Sequence, residues 1–342
     1  MRIVVDAMGS DQYPVPDVEG AVAAAREFSD TILLVGDASR IEAELARHDT
    51  AGLSLEIVHA DETIEMTDKP STVARSKPES SMHIGMNLVK EGKGDAFVTC
   101  GNTGAALAIA TLRSLRRIPG VMRPALTTLL TVGDHRWILL DIGANADCKP
   151  EWLHQFAFMG SIYAERAMGH QAPRVALLSN GEEEGKGNVL IKQATALLAA
   201  SSLHFVGNIE PKEMLGGEAD VIVTDGFAGN ITIKTLEAMG DTLFKLIRQE
   251  LTADLRSKLG GALGRPAFKR VFRQVDPFEI GGAPLLGVDG VVIIGHGRTN
   301  ALGVKNAIRQ ARQAVGGQII EAIRDGISDY TSVNEDSAAE LS

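Results

Sequence analysis

The regular alternation of short apolar runs with amphipathic stretches is the feature that most constrains the fold of this chain. Ten runs rich in β-branched residues are predicted to be strands: 3–5, 31–35, 55–59, 95–99, 127–132, 137–141, 175–179, 204–206, 221–224 and 291–294. Most of the gaps have a helical spacing of apolar residues, at Val15–Phe28 and at about 80–91, 103–115, 150–168, 188–200 and 300–324. This alternation predicts a mostly parallel sheet with helices packed on both faces.

Two closely spaced runs predict an antiparallel element within this sheet. The runs 127–132 and 137–141 are separated by a short turn at Gly133, which is typical of a hairpin. We therefore expect a mixed sheet inside a single three-layer α/β/α domain that covers residues 1–330. The polar, acidic residues 331–342 are expected to form a disordered tail.

The segment 234–276 departs from the strand–helix alternation. Its apolar residues recur every three or four positions, at Leu236, Met239, Leu243, Ile247, Leu251, Leu255, Leu259 and Leu263. This spacing predicts a long amphipathic helix or a protruding helical hairpin, broken at Gly260-Gly261. Within 234–273 there are nine basic and four acidic residues, although the net charge of the whole chain is −10.

Composition excludes several classes of protein. A net charge of −10 argues against nucleic-acid binding, which requires a basic surface. The two cysteines, Cys100 and Cys148, cannot build a disulfide framework, and the scattered histidines have no metal-ligand spacing, so we expect no metal and no cofactor. The chain shows neither a secretory signal nor an apolar run long enough to span a membrane, which favours a cytoplasmic location.

Glycine-containing loops follow six of the predicted strands and are the candidates for a functional site. They lie at 6–9, 101–105, 143–145, 180–188, 225–230 and 295–298. In open α/β sheets, ligands bind outside the carboxyl ends of the strands. We therefore expect backbone amides of these loops to converge on one small anion, such as phosphate.

Each loop has both a functional and a structural interpretation. Asn102, Thr103 and Gly104 open a predicted helix, where free N–H groups bind anions, but Thr103 also fits an ordinary helix cap. Lys186 lies between glycines, in a loop that is either a phosphate-binding loop or a solvated surface loop. Asp225 and Asn230 fit an acid–base role or a tight turn. His296 fits proton transfer or a structural role, and Cys100 is disfavoured as a nucleophile because no histidine is adjacent in sequence.

Taken together, the loops resemble those of the bacterial acyl-[acyl carrier protein]:phosphate acyltransferases of phospholipid synthesis. The matching segments run nearly the length of the chain: 5–11, 80–82, 95–105, 140–145, 178–188, 220–234 and 283–297. Two departures stand out. Ser10 replaces a glycine that is usual in the family, and Thr99-Cys100 replaces Ser-Ala.

The resemblance implies the architecture of isocitrate and isopropylmalate dehydrogenases and of phosphotransacetylases, with 234–276 helping to form a homodimer. It implies an enzyme at the inner face of the cell membrane that needs no cofactor. The enzyme would transfer a fatty acyl group from acyl carrier protein to inorganic phosphate. A downstream membrane glycerol-3-phosphate acyltransferase would then use the acyl phosphate. The apolar stripe at 236–263 is expected to contact the second subunit, anionic lipid or both.

Residues of the matching loops are assigned roles on the basis of this resemblance. Phosphate is expected to contact Asn102, Thr103, Gly104, Lys186 and Asn188. The acyl donor is expected near Asp6, Met8, Gly9 and Asn145. Stabilisation of the oxyanion and proton handling are assigned to Asp225, Asn230, His296 and Lys186. Two basic groups are candidates for docking the acidic carrier protein, or are solvated faces: Arg113, Arg116, Arg117 and Arg123, or Lys269, Arg270 and Arg273.

Three rival functions remain open at this point. One is a phosphotransacetylase that uses short acyl-coenzyme A. The second is a catalytically silent membrane scaffold for lipid enzymes. The third is a dehydrogenase of the same broad fold, although the chain has no Gly-x-Gly-x-x-Gly nicotinamide fingerprint.

Overall fold

The computed structural model describes residues 1–133, 135–183 and 185–327. The predicted tail at 331–342 and the last residues of the predicted domain lie outside these ranges. The strands are β1 (Arg2–Asp6), β2 (Thr31–Gly36), β3 (Leu55–His59), β4 (Ala96–Thr99), β5 (Ala125–Val132), β6 (His135–Leu140), β7 (Val175–Leu178), β8 (Phe205–Ile209), β9 (Val221–Val223), β10 (Gly282–Leu286) and β11 (Val291–Gly295).

Helices occupy most of the connections between strands. They are α1 (Val15–Phe28), α2 (Ala38–Leu45), α3 (Pro70–Ser76), α4 (Ser81–Lys90), α5 (Thr103–Leu112), α6 (Pro150–Met168), α7 (Val189–Ala199), α8 (Pro211–Gly216), α9 (Gly226–Leu251), α10 (Leu255–Val275), α11 (Pro277–Ile280) and α12 (Ala301–Gly316). The helix predicted at 300–324 is interrupted at Gly317, and the chain is helical again over 319–327.

The strands form one sheet whose direction reverses in the middle. Among the described residues its order is β3-β2-β1-β4-β11-β10-β5-β6-β9-β7-β8. Neighbours are parallel except at β11–β10, β10–β5 and β5–β6, and the last of these is the predicted hairpin. Three antiparallel pairings leave β1, β4 and β11 running opposite to β6, β9 and β7. The carboxyl ends of the first three therefore lie at one edge of the sheet, called here the first edge, and those of the last three at the second edge.

Strand β10 was not predicted because its sequence contains residues that are unusual in strands. It contains Pro284, which lacks a backbone N–H and is rare inside sheets, and it begins at Gly282. In the structure Pro284 lies opposite Ile293 of β11. This unpredicted strand supplies two of the three antiparallel pairings.

Helices cover both faces of the sheet, which confirms the three-layer prediction. On one face, α1, α6, α7 and α12 bury residues such as Val18, Phe156 and Val304 in one core. The other face has two separate cores, one beneath α3, α4 and α5 and one beneath α8 and α9. Ile142 packs against both of these cores.

A trough separates the two helix groups on the divided face. Strand β5 runs beneath both, with Leu126 in the core under α5 and Leu130 against the core under α9. Between them, on the same face, Thr128 is only partly buried, and so is Ala283 of the neighbouring β10. Side chains of central strands are normally covered, so their partial exposure marks a gap in the helical layer over β5 and β10.

Helices α9 and α10 form the predicted helical hairpin, but the break is not at Gly260-Gly261. The turn falls between Leu251 and Leu255, because Asp254 caps α10 by accepting the N–H of Ser257 at 2.8 Å. Gly261 lies inside α10, where a Cβ would stand 3.3 Å from that of Leu251. Close approach of the two helices, rather than a break, explains this glycine.

We predict that Gly20→Ala destabilises the fold. Gly20 lies where α1 crosses α12, and a Cβ there would stand 2.5 Å from Cβ of Val304 and 2.8 Å from the carbonyl oxygen of Ala301. Overpacking of this kind costs about 1–3 kcal/mol of unfolding free energy, measurable by urea denaturation. Gly240→Ala in α9 is the matched control: a Cβ there has no neighbour within 4 Å, so this variant should be neutral or slightly stabilised. Equal stability of the two variants would contradict the packing argument.

Candidate active site

At the first edge, a buried carboxylate joins the loops that follow β1 and β4. Oδ1 of Asp6 accepts the N–H of Met8 at 3.1 Å, and Oδ2 accepts the hydroxyl of Thr99 at 2.7 Å. Burial raises the pKa of Asp6, and these hydrogen bonds oppose the rise. Gly9 packs so tightly that a Cβ would lie 3.0 Å from the backbone nitrogens of Cys100 and Gly101. Asp6, Met8 and Gly9 therefore fix the backbone of this edge.

A second buried carboxyl, that of Asp17 at the start of α1, contacts the loop that follows β1. The hydroxyl of Ser10 donates to Oδ2 of Asp17 at 2.5 Å. Oδ1 of Asp17 is buried and has no hydrogen-bond partner among the described residues. Burial raises the pKa of Asp17 to about 8, against the effect of the Ser10 hydrogen bond, and the charge of Asp6 adds to the rise. Asp17 is therefore protonated at neutral pH.

The side chain of Asn102 is engaged within the protein. Its Oδ1 caps α5 by accepting the N–H of Ala105 at 3.0 Å, and its Nδ2 lies 3.0–3.3 Å from the carbonyl oxygens of Glu65, Met66 and Asp68. The cap is thus Asn102 and not Thr103. Thr103 is exposed and offers its hydroxyl at the helix start. A Cβ on Gly104 would stand 2.6 Å from Cγ of Pro70, so this glycine allows the start of α3 to pack against α5.

His296 is exposed at the first edge, at the end of β11. The carbonyl of Gly297 accepts the N–H of Asp11 at 2.8 Å, which places His296 beside the loop after β1. Arg298 lies 3.8 Å from the carboxylate of Asp241 in α9. This end of the trough is therefore bounded by the first-edge loops and by the middle of α9.

At the second edge, Asp141 organises the turn after β6. Its Oδ1 accepts three N–H groups, those of Leu126, Gly143 and Ala144, and its Oδ2 accepts the N–H and the amide of Asn145. Burial raises the pKa of Asp141, and these hydrogen bonds lower it. Asp141 was not predicted as a site residue, although it stands directly after an apolar run.

The amino terminus of α9 packs against this turn. Asp225 caps the helix by accepting the N–H of Ala228 at 2.8 Å, and the N–H of Gly226 donates to the carbonyl of Asn145 at 2.8 Å. Asn230 uses one amide hydrogen on the carbonyl of Ile142 at 3.0 Å. Asn145, Asp225 and Asn230 are thus brought together at the second-edge end of the trough.

Lys186 and Asn188 also lie at the second edge, two strands away from β6. Asn188 caps α7 by accepting the N–H of Ile191 at 2.9 Å. The side chain of Lys186 is 53% exposed, and its Nζ lies 4.0 Å from the carboxylate of Glu183. The loop is braced by Asn180, whose Oδ1 accepts the N–H of Gly187 at 3.0 Å.

The two predicted basic groups occupy different places. Arg113, Arg116, Arg117 and Arg123 are exposed between α5 and β5, at the second edge. Lys269, Arg270 and Arg273 are exposed on α10, in the hairpin. Arg273 lies 3.7 Å from the carboxylate of Glu279.

The structure divides the predicted phosphate ligands between the two edges. Asn102, Thr103 and Gly104 lie at the first edge, whereas Lys186 and Asn188 lie at the second. The expectation that all six loops converge at one edge is wrong, because the three antiparallel pairings reverse the second half of the sheet. The loops after β4 and β6 instead lie at opposite ends of one trough.

The described part of the chain offers neither a metal-binding cluster nor a helix that could span a membrane. No group of three or more His, Cys, Asp or Glu residues is placed to hold a metal ion there. None of the helices there is long and apolar enough to cross a membrane.

Comparisons with known proteins place these loops in a family. The family model described as "Fatty acid synthesis protein" matches residues 1–322. A phosphate acyltransferase of Syntrophotalea carbinolica is 45% identical over 93% of this chain and 91% of its own. One from Pelobacter propionicus is 46% identical over 96% and 95%. Among solved structures, a phosphotransacetylase from Streptococcus pyogenes covers 94% of both chains with a TM-score of 0.59 at 16% identity, which shows a shared fold.

We predict that Asp17→Asn weakens the dependence of stability on pH. The folded protein holds the proton of Asp17 up to about pH 8, whereas the unfolded chain releases it near pH 3.8, so a rise from pH 5 to pH 8 lowers the free energy of unfolding. Asparagine keeps the shape of the side chain and cannot ionise.

Urea denaturation at pH 5, 6.5 and 8 measures this effect. The wild type should lose up to ~1.4 kcal/mol per pH unit more than the variant. Asp141, whose pKa is also raised, is present in both proteins and cancels in the comparison. Asp6 is also present in both, and because its charge contributes to the raised pKa of Asp17, any change in its titration belongs to the same buried pair. Parallel pH profiles would show that Asp17 does not carry this proton.

Proposed function

This chain belongs to the family described as fatty acid synthesis protein, which includes the phosphate acyltransferases above, and from that premise we propose that it transfers a long-chain acyl group from acyl carrier protein to inorganic phosphate. The observation that carries the proposal is the family match over residues 1–322, which includes the loops at both ends of the trough. We take the trough, the opening between the two groups of loops, as the place where a flexible thioester arm and a small anion meet.

The reaction needs positioning more than it needs an enzyme nucleophile. An oxygen of hydrogen phosphate attacks the carbonyl carbon of the thioester, the C–S bond breaks, and the proton of the phosphate passes to the departing thiolate. Because a thiol has a pKa of about 8.5, the leaving group needs little help from an acid. The protein's part is to hold the reactants in line and to aim donors at the oxyanion.

The predicted residues divide this work between the two edges. At the second edge, Asn230 keeps one amide hydrogen after its bond to Ile142 and is our candidate donor to the oxyanion. Lys186 has the reach and exposure to contact phosphate. Thr103 and His296 are exposed at the first edge, a strand's length from Asn230, and we assign them to the phosphate that enters the trough from that end. Asp225 and Asn188 act through the helix caps they make.

We assign the helical hairpin to dimerisation and to membrane contact. One face of α9 has a mostly apolar groove of about 460 Å³ lined by Ile231, Lys234, Thr235, Ala238, Met239 and Thr242. A second copy of the chain is its proposed occupant. Leu255 and Leu259, at the start of α10, are 75% and 62% exposed and are proposed to enter anionic lipid at the inner face of the cell membrane. The acyl phosphate would then form beside the membrane glycerol-3-phosphate acyltransferase that consumes it.

We expect the purified protein to form acyl phosphate from phosphate and palmitoyl-acyl carrier protein. The product can be trapped with hydroxylamine and quantified as the hydroxamate. Acetyl-coenzyme A should be a poor donor. Turnover of acetyl-coenzyme A alone would instead identify a phosphotransacetylase, and no turnover with either donor would favour the scaffold.

Lys186→Ala should raise the phosphate KM about tenfold, because the variant loses one charge-assisted contact with phosphate. Lys192→Ala, on the exposed face of α7, is the matched control and should leave the phosphate KM unchanged.

We expect the protein to pellet with phosphatidylglycerol vesicles through the start of α10. Leu255→Glu combined with Leu259→Glu should reduce pelleting at least about tenfold, because two apolar side chains no longer enter the lipid. Val189→Glu combined with Leu215→Glu changes two other exposed apolar side chains by the same charge and should pellet like the wild type. Retained pelleting of the Leu255/Leu259 variant would exclude this membrane contact.

A further inference from the structure

An unpaired cluster of arginines lies where the second-edge end of the trough opens. Arg113, Arg116, Arg117 and Arg123, called here the arginine patch, are all exposed. Seven other arginines of the described chain lie within 4.0 Å of a carboxylate: Arg2, Arg47, Arg174, Arg273, Arg298, Arg312 and Arg324. Other arginines there, Arg270 among them, have no such partner, so the patch is distinguished by the grouping of four unpaired arginines in one place. No arginine of the patch has such a partner among the described residues. In a chain of net charge −10, four uncompensated positive charges in one place are available to an acidic partner.

The backbone that carries the patch is held firmly. Between the arginines, Leu115, Ile118 and Val121 are buried. The N–H of Ile118 donates to the carbonyl of Gly287 at 3.1 Å, at the end of β10. The backbone beneath the patch is therefore fixed, and binding to it loses little backbone entropy.

Arg116 has a backbone conformation that glycine or asparagine adopts more readily than arginine. Its φ is +69°, in the left-handed region that favours glycine or asparagine. Its N–H donates to the carbonyl of Ala110 at 2.7 Å, a bond that any residue but proline makes. The exposed guanidinium adds no ion pair within the described chain. The uncommon backbone conformation therefore presents a charged side chain to solvent rather than to a partner inside the fold.

The patch is continuous with the candidate site. The guanidinium of Arg117 donates to the carbonyl of Met122, and that of Arg123 lies 4.8 Å above the ring of Trp152. The next residue, Pro124, accepts the amide of Asn145 at 2.8 Å. A partner bound here lies beside the Asn145 turn. Leu112, 65% exposed next to Arg113, gives the patch an apolar contact as well.

We infer that the arginine patch is the surface on which the acidic carrier protein docks, with its thioester arm entering the trough past Asn145. The inference rests on the proposed function. The basic group on α10 fits this role less well, because Arg273 already faces Glu279 and because α10 is part of the hairpin rather than of the second edge. Docking at the patch and lipid contact at the hairpin then use separate surfaces.

The test compares a carrier-bound donor with a donor that has no carrier. Arg116→Glu combined with Arg123→Glu should lower kcat/KM for palmitoyl-acyl carrier protein at least tenfold relative to kcat/KM for palmitoyl-N-acetylcysteamine, an uncharged thioester. Most of the difference should disappear at high salt, because exposed charges are screened beyond about 10 Å at 0.1 M salt. Arg116→Gly should lower the same ratio without lowering Tm, since glycine suits the left-handed backbone.

Lys90→Glu combined with Lys192→Glu makes the same change of charge at two exposed sites away from the patch and should leave the ratio unchanged. A tenfold fall in the Lys269→Glu, Arg270→Glu variant, or an unchanged ratio in the patch variant, would overturn the assignment. Absence of acyl phosphate from the wild type with either thioester would instead refute the proposed function.

Discussion

Three antiparallel pairings at the centre of the sheet determine where every other part of this molecule can lie. Strands β10 and β5 join the half of the sheet built on β1 to the half built on β6. The three antiparallel pairings that they make leave the strands of the two halves running in opposite directions. Because the halves run in opposite directions, helices α5 and α9 start from opposite edges and cross the same face. The gap between them is the trough. The site is therefore defined by two edges and a channel, rather than by one row of strand tips.

The two halves use the same local device at their site loops. Asp6 ends β1 and Asp141 directly follows β6, and each buried carboxylate accepts the N–H two residues further on. In both, burial raises the pKa and hydrogen bonds to the carboxylate oppose it. An unpaired buried carboxylate would be costly, so each aspartate requires the loop to keep the conformation that supplies its donors. Asp17 is the exception, because its Oδ1 has no hydrogen-bond partner in the part of the chain that the structure describes, and its carboxyl retains a proton instead.

The sequence predicted most local structure because local patterns encode it. All ten predicted strands exist, and the Gly133 hairpin was confirmed. Strand β10 was not predicted because Pro284 is unusual inside a strand. The break in the hairpin was predicted at Gly260-Gly261, but the chain turns before the cap at Asp254 and stays helical through both glycines. The structural interpretation of the loops also holds in part, since Asn102, Asn188 and Asp225 are all helix caps. The convergence of the loops depends on strand direction, which long-range pairing sets and no local pattern reveals.

Helix α9 gives the molecule a lever. It is a single helix of 26 residues, about 39 Å long. Its first turn forms part of the second-edge loop cluster, its middle rests near Arg298 at the first edge, and its far end carries α10. A stiff rod held at one end and near its middle transmits tilt. Because α9 is one continuous helix, its tilt couples the position of α10 to the position of Asn230 in its first turn.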